Sequence, residues 1–297
     1  MKKLIFASIL ATTINAATNE ELNLYINEAK DNNASAMFSL GLVYFSGDGV
    51  KKDYKTAFTW YQKASSAGDL RALNNLAYMY EHGIWVKKDS SLAEQYYKAA
   101  ANDGLVEAQL NLGLFFENNP TPANMLKAYF WYDKAAQNGD RVAQNNLAKL
   151  YYFGNGVKEN LQKAFFWFQE AAWRDDSLAQ YNLAMMYYKS EYVSYSADKT
   201  LFWLERSAEN ENNYAQNKLG DFYAEGIIVE KNLQTAFEWY KRAANDGFLR
   251  AIYQVGVFYF YGHGVNIDKL KAKEWLNKAH RQGYEDATRF MERNSLF

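Results

Sequence analysis

The sequence predicts an all-α chain, an α-solenoid of stacked antiparallel helix pairs, and three observations carry that reading. Alanines stand at Ala36, Ala72, Ala108, Ala143, Ala179, Ala215, Ala251 and Ala287, one every 36 residues with a single interval of 35, and self-similarity at a fixed period marks a repeat architecture. With each alanine as position 1, positions 1, 5, 8 and 9 are apolar in every unit, which is one face of an α-helix. The chain has 2 prolines and 0 cysteines among 297 residues, with 49% hydrophobic and 17% aromatic side chains. That composition fills a helical core. It excludes a disordered chain, a disulfide framework and any thiolate metal site or thiol catalyst.

At the start, Met1-Lys2-Lys3, the apolar run Leu4 to Leu10 and the small-residue exit Ile14-Asn15-Ala16-Ala17 form the three parts of a secretory signal. Residues 1–16 are therefore expected to be cut away after Ala16, leaving the mature chain periplasmic or secreted. The apolar run is far shorter than the ~20 residues that span a bilayer, and no cysteine follows it to carry a lipid anchor. Residues 17–35 are expected to be a capping helix, because Thr18 and Glu21 have capping-box spacing and Leu22, Ile26 and Ala29 share one face.

Seven repeats are expected over residues 36–286. The first helix of each, helix A, has Leu or Val at position 5, Gly or Ala at position 6 and an aromatic residue at position 9 (Tyr44, Tyr80, Phe116, Tyr151, Tyr187, Tyr223 and Tyr259). The small residue at position 6 predicts the close passage of a neighbouring helix backbone. Loops such as Gly47-Asp48-Gly49-Val50, Gly154-Asn155-Gly156-Val157 and Gly262-His263-Gly264-Val265 follow. No strand precedes them, so they read as helix-ending turns and not as phosphate cradles. Asp53, Asp89, Asn160, Asn232 and Asp268 are placed to cap the second helix, helix B. Helix B carries Ala57, Trp60 and Ala64 and their equivalents, with Trp60, Tyr96, Trp131, Trp167, Trp203, Trp239 and Trp275 expected to wedge between helices. Gly68, Gly104, Gly139, Gly247 and Gly283 end it. Residues 287–297 begin an eighth helix A with no partner, a C-terminal capping helix whose Phe290 and Met291 would cover the last repeat.

The unit that begins at Ala36 and runs through Leu40-Gly41, Tyr44, Gly47-Asp48-Gly49-Val50, Asp53, Ala57 and Trp60-Tyr61-Gln62-Lys63-Ala64 resembles the Sel1-like repeat, a tetratricopeptide-like family. The resemblance implies a protein-binding scaffold without catalysis or cofactor, of a kind found in bacterial envelope, secretion and host-interaction roles. Two repeats depart from the pattern. The third has Asn118-Asn119-Pro120-Thr121-Pro122 in place of the glycine loop, and the fifth has Ser190-Glu191-Tyr192-Val193-Ser194-Tyr195.

Opposite the apolar face of helix A lie positions 4, 7 and 11, the side that lines the concave groove in tetratricopeptide-like stacks. Position 4 is Asn75, Asn111, Asn146 and Asn182 in four consecutive repeats, and an amide, donor and acceptor at once, can pair with the backbone of an extended peptide. Tyr78, His82, Leu114, Lys149, Phe153, Met185 and Lys189 continue this candidate partner-binding face. Gln109, Gln144, Gln180 and Gln216 at position 2 read as structural residues of the seam between repeats. A formal charge of −1 supplies no field for nucleic acid, and nothing calls for membrane insertion. The three histidines, His82, His263 and His280, have no metal-ligand spacing, and no nucleophile motif is present. The expected partner is a protein or peptide, with no metal and no cofactor. Two alternatives are a peptidoglycan or glycan ligand stacked on exposed rings such as Trp85 and Tyr195, and β-lactam chemistry, which cysteine-rich relatives of the family support with disulfides that this chain lacks.

Overall fold

The computed structural model describes residues 18–297; the expected signal segment lies outside them. The chain divides after Asp140 into two compact units. The first contains α1 (Asn19–Lys30), α2 (Ala34–Ser46), α3 (Tyr54–Ser66), α4 (Leu70–His82), α5 (Ser90–Asn102), α6 (Val106–Glu117) and α7 (Pro122–Gln137). The second contains α8 (Arg141–Phe153), α9 (Leu161–Trp173), α10 (Ser177–Lys189), α11 (Ala197–Glu209), α12 (Asn213–Glu225), α13 (Leu233–Asn245), α14 (Leu249–Tyr261), α15 (Lys269–Arg281) and α16 (Glu285–Arg293). Among the described residues there is no strand. Within each unit every helix packs on its neighbours in sequence, so α2/α3, α4/α5 and α6/α7, and then α8/α9 through α14/α15, are helix A/helix B pairs.

The punctuation is local chemistry. Helix A ends on a left-handed residue at Gly47, Gly83, Ser190, Gly226 and Gly262. Asp53, Asp89, Asn160, Asn232 and Asp268 then cap helix B through backbone N–H groups of its first turn, and Thr121 and Ser196 do so in the two irregular repeats. The same loop is clamped from the other side: the N–H of Asp53, Asp89, Asn160, Asn232 and Asp268 donates to the position-9 carbonyl of Tyr44, Tyr80, Tyr151, Tyr223 and Tyr259. The clamp holds the loop in the five repeats that keep Asp or Asn at this place.

The deepest ring differs from the one the sequence suggests. Trp131 and Trp203 are buried, but Trp60, Trp167, Trp239 and Trp275 are only half-buried. The residue after each, Tyr61, Tyr97, Tyr132, Phe168, Leu204, Tyr240 or Leu276, is at most 2% exposed. Ala57, Tyr61 and Ala64 are at i, i+4 and i+7 on the stripe facing helix A, whereas Trp60 stands at its flank. The flank suits tryptophan, because the residue three places on lays a cation over the ring: Lys63 on Trp60 at 4.4 Å, Arg242 on Trp239 at 4.6 Å and Lys278 on Trp275 at 4.9 Å.

This ring also corrects the reading of position 6. What approaches Gly41, Gly113 and Gly220 is the ring of Tyr61, Tyr132 and Tyr240, within 2.4 to 2.5 Å of where a Cβ would stand, and Leu276 does the same at Gly256. The intruder is a helix B side chain, not a backbone. Its hydroxyl is tied down by a carboxylate of helix A in three repeats: Tyr97 donates to Glu81 at 3.0 Å, Tyr132 to Glu117 at 2.5 Å and Tyr240 to Asp221 at 2.8 Å.

At the ends, Thr18 and Glu21 close a capping box on α1, whose Leu22, Tyr25, Ile26 and Ala29 pack on the core of the first repeats. Ala287 and Met291 of α16 are fully buried against the last repeat, with Phe290 beside them.

Candidate functional site

The repeats are joined by amides. Gln109, Gln180 and Gln216 at position 2 donate to Ala101, Ala172 and Ala208, carbonyls at the end of the preceding helix B, at 3.1 to 3.2 Å. The oxygens of Gln109 and Gln180 accept in turn from Asn138 and Asn210. At the matching place the sixth repeat has Asp246, a carboxylate with no hydrogen to give, and the Gln216 Oε1 is left buried without a partner.

The asparagines at position 4 form a second seam and not one exposed strip. Asn111 donates to Asn74 at 2.9 Å and Asn182 to Asn145 at 3.2 Å, in each case to position 3 of the repeat before. Asn75 and Asn146 are 1% and 8% exposed, which corrects the expectation of four groove-facing amides. The repeat preceding Asn75 has Phe38 at position 3, which offers no acceptor, and the Asn75 Nδ2 has no partner.

In the second unit the face formed by positions 4, 7 and 11 opens into a pocket of about 480 Å³ between α8 and α10. Lys149 and Phe153 of α8 and Asn182, Met185 and Lys189 of α10 line it, five residues that the spacing of helix A places on one side. Phe168, Leu178, Met186 and Tyr214 add apolar wall, and Asn145, Tyr152, Tyr181 and Glu191 complete it. The spacing did not point to these eight. They come from positions 3 and 10, from helix B, from a loop and from the next repeats. Tyr78, His82, Asn75 and Asn111 lie in the first unit, where Tyr78 stacks on His82 with ring centroids 4.1 Å apart and the His82 Nδ1 is 3.0 Å from the Tyr78 carbonyl.

The acid of the pocket is already engaged. Glu191 accepts from the Tyr152 hydroxyl at 2.7 Å and pairs with Lys189 at 3.6 Å. Burial and this neighbouring carboxylate push the Tyr152 phenol up to about 12. Burial, with Asp221 nearby, also raises Tyr181. Lys149 has no carboxylate of its own among the described residues, so what remains free is a cation and amide N–H groups over an apolar floor. Such a surface can hold a ligand that brings acceptors together with apolar groups. Among the described residues no group of three or more acidic or histidine side chains could hold a metal ion, and no helix is long and apolar enough to cross a membrane.

Comparison with known proteins agrees with the repeat geometry. No curated protein matches the chain. A Sel1 repeat protein from Oxalobacter formigenes is 31% identical, with a TM-score of 0.76 over 92% of this chain and 80% of that one. The protein c5321, a protective antigen present in uropathogenic Escherichia coli strains and described as displaying an SLR fold, is 28% identical, with a TM-score of 0.53 over 93% of this chain and 68% of that one. The family model described as Sel1 repeat matches seven times, at residues 34–69, 70–105, 106–140, 141–174, 177–212, 213–248 and 249–284. Each match covers one helix A and the helix B that follows it, and the chain belongs to the Sel1 repeat family.

Proposed function

We propose that this chain is an exported, non-catalytic scaffold that holds an extended segment of a partner protein on the helix A face, in a bacterial envelope or host-interaction setting. Sel1 repeats generally mediate protein–protein interaction. The observation that carries the finer reading is the pocket of the second unit: open, largely apolar, and edged by the Asn145 amide nitrogen and by the Lys149 ammonium, which no carboxylate among the described residues holds. A peptide presents both chemistries at once, apolar side chains for the wall and carbonyl acceptors for the donors.

Met185 is half-buried in the wall, so Met185→Asp places a charge in the pocket without opening the core. Fluorescent peptide pools titrated against the wild type and this variant test the reading, with circular dichroism as the check on folding. Peptide binding lost in an equally helical variant is the expected result; binding that survives unchanged places the partner elsewhere. The exported state rests on the residue 1–16 pattern, and the expected mature N-terminus in envelope or culture fractions is Ala17. Trp85, 57% exposed with Lys55 5.6 Å from its ring, is the surface on which a glycan would stack. Soluble peptidoglycan fragments should leave tryptophan fluorescence unchanged.

A further inference from the structure

We infer that the pocket of the second unit reads the C-terminal residue of its partner, taking an apolar side chain inside and the terminal carboxylate against Asn145, Asn182 and Lys149. This inference rests on the peptide-binding reading above and adds to it the end of the chain that is bound.

The first argument is an unspent donor. Asn145 is 2% exposed and lines the pocket, and its oxygen already accepts from Asn182. In the first unit the equivalent Asn74 turns its amide nitrogen to the Asn75 oxygen at 3.5 Å. Asn145 makes no such bond to Asn146, and among the described residues nothing accepts from its Nδ2. The Asn145 Nδ2 is therefore a donor that the pocket offers to an acceptor brought by a ligand.

The second argument is charge. In repeats two and three a carboxylate at position 10, Glu81 or Glu117, meets the helix B tyrosine, and in repeat six Asp221 at position 7 does so. Repeat four departs at all three places. It has Tyr152 at position 10, Phe168 in place of the helix B tyrosine and Lys149 at position 7, and all three line the pocket. Where repeats two, three and six carry their own anion, this repeat carries a cation and a cavity. The one acid present, Glu191, is taken by Lys189 and Tyr152.

The third argument is that anion and apolar group must enter together. Phe153, Met185 and Met186 form apolar wall within one pocket with the donors, and the whole volume is about 480 Å³. A C-terminal Leu, Met or Phe carries both groups on one Cα. An internal Asp or Glu sets its carboxylate at the tip of the side chain that should fill the apolar wall.

The test uses the whole chain and fluorescein-labelled octapeptide pools, randomised except for a final Leu, supplied as the free acid and as the C-terminal amide, with decanoate as a competitor. The free acid is expected to bind at least about tenfold more tightly than the amide, the worth of a charge-assisted hydrogen bond. Lys149→Met should bring the acid down to the level of the amide while helicity and melting stay unchanged, and the preference should shrink as salt is raised. Acid and amide pools that bind equally, both lost in Met185→Asp, would overturn the C-terminal inference and leave the peptide-binding scaffold standing. Decanoate displacing the acid pool at equal concentration would replace the peptide terminus by a fatty acid. Failure of both pools to bind at millimolar concentration would overturn the inference and the peptide reading of this pocket together.

Discussion

Gly220→Ala puts a methyl group where the ring of Tyr240 already lies. The new Cβ would stand 2.5 Å from the Cδ1 and Cε1 of Tyr240, so ring or helix must give by about 1 Å to reach ordinary carbon contact. The ring has little freedom to retreat: Tyr240 is 2% exposed and its hydroxyl donates to Asp221 at 2.8 Å, which in turn holds Arg250 at 3.0 Å. Overpacking of this kind costs about 1–3 kcal/mol. Replacing glycine within α12 returns about 1 kcal/mol of helix propensity. With the ring held, the cost falls in the upper part of that range, about 2–3 kcal/mol, so the net expectation is a loss of about 1–2 kcal/mol, which for a chain of this size is a fall in melting temperature of roughly 2–6 °C. Urea titration and thermal melting followed by circular dichroism measure it. The same substitution in a Tyr240→Leu background reproduces the Ala184 and Leu204 combination of the fifth repeat, where both residues are fully buried, and should cost nothing further. Gly220→Ala as stable as the wild type, or equally harmful in both backgrounds, would refute the claim that the Tyr240 ring leaves no room for a methyl group at Gly220.

Three more outcomes follow from the same geometry. Gln180→Ala removes the donor to the Ala172 carbonyl and the acceptor for Asn210 in a fully buried seam, and should lower stability by about 1–3 kcal/mol in a denaturant titration; a change below 0.5 kcal/mol, roughly that of a surface site, would contradict it. Trp85 holds φ +66° while 57% exposed, so Trp85→Gly should raise stability by up to about 1 kcal/mol by relieving left-handed strain, and a loss of stability in the melt would show the ring to be part of the packing. Hydrogen bonds from Thr56 hold the Asp53 carboxyl below its usual 3.8, and the backbone N–H of Lys271 does the same for Asp268. Their folded values are depressed, so their contribution is complete above about pH 4 and fades as pH falls through those values. The double variant Asp53→Asn, Asp268→Asn should lose less melting temperature than the wild type between pH 5 and about 2.5, and parallel curves would remove the two caps from the acid limb.

The repeat was legible because the period of Ala36, Ala72 and their successors is fixed by stacking, and stacking tolerates few insertions. The caps were legible for the same reason, each being a local bond between one side chain and the next turn. Depth within helix B was not. Tryptophan draws attention by size, yet one residue of rotation separates the flank at Trp60 from the centre at Tyr61. The candidate site was half legible: Lys149, Phe153, Asn182, Met185 and Lys189 share a helical face, while Asn145, Tyr152 and Phe168 join the pocket from positions that elsewhere face seam or core. A coincidence in the sequence did mark the place. Only in repeat four do a non-acid at position 10, a helix B residue without a hydroxyl and a lysine at position 7 occur together. The burial of Asn75 and Asn146 was not legible, because helical spacing alone does not say what packs over each amide.

The most direct test of a partner anchored in the second unit is a site-specific photo-crosslinking scan in the producing cell. A benzophenone side chain would be placed at Phe153 in the pocket and, as a control, at Leu126, which is 58% exposed on α7. The account predicts one discrete adduct from position 153, absent from position 126 and lost in the Met185→Asp background. An adduct from position 126 with none from position 153, or one from 153 that Met185→Asp leaves intact, would contradict it.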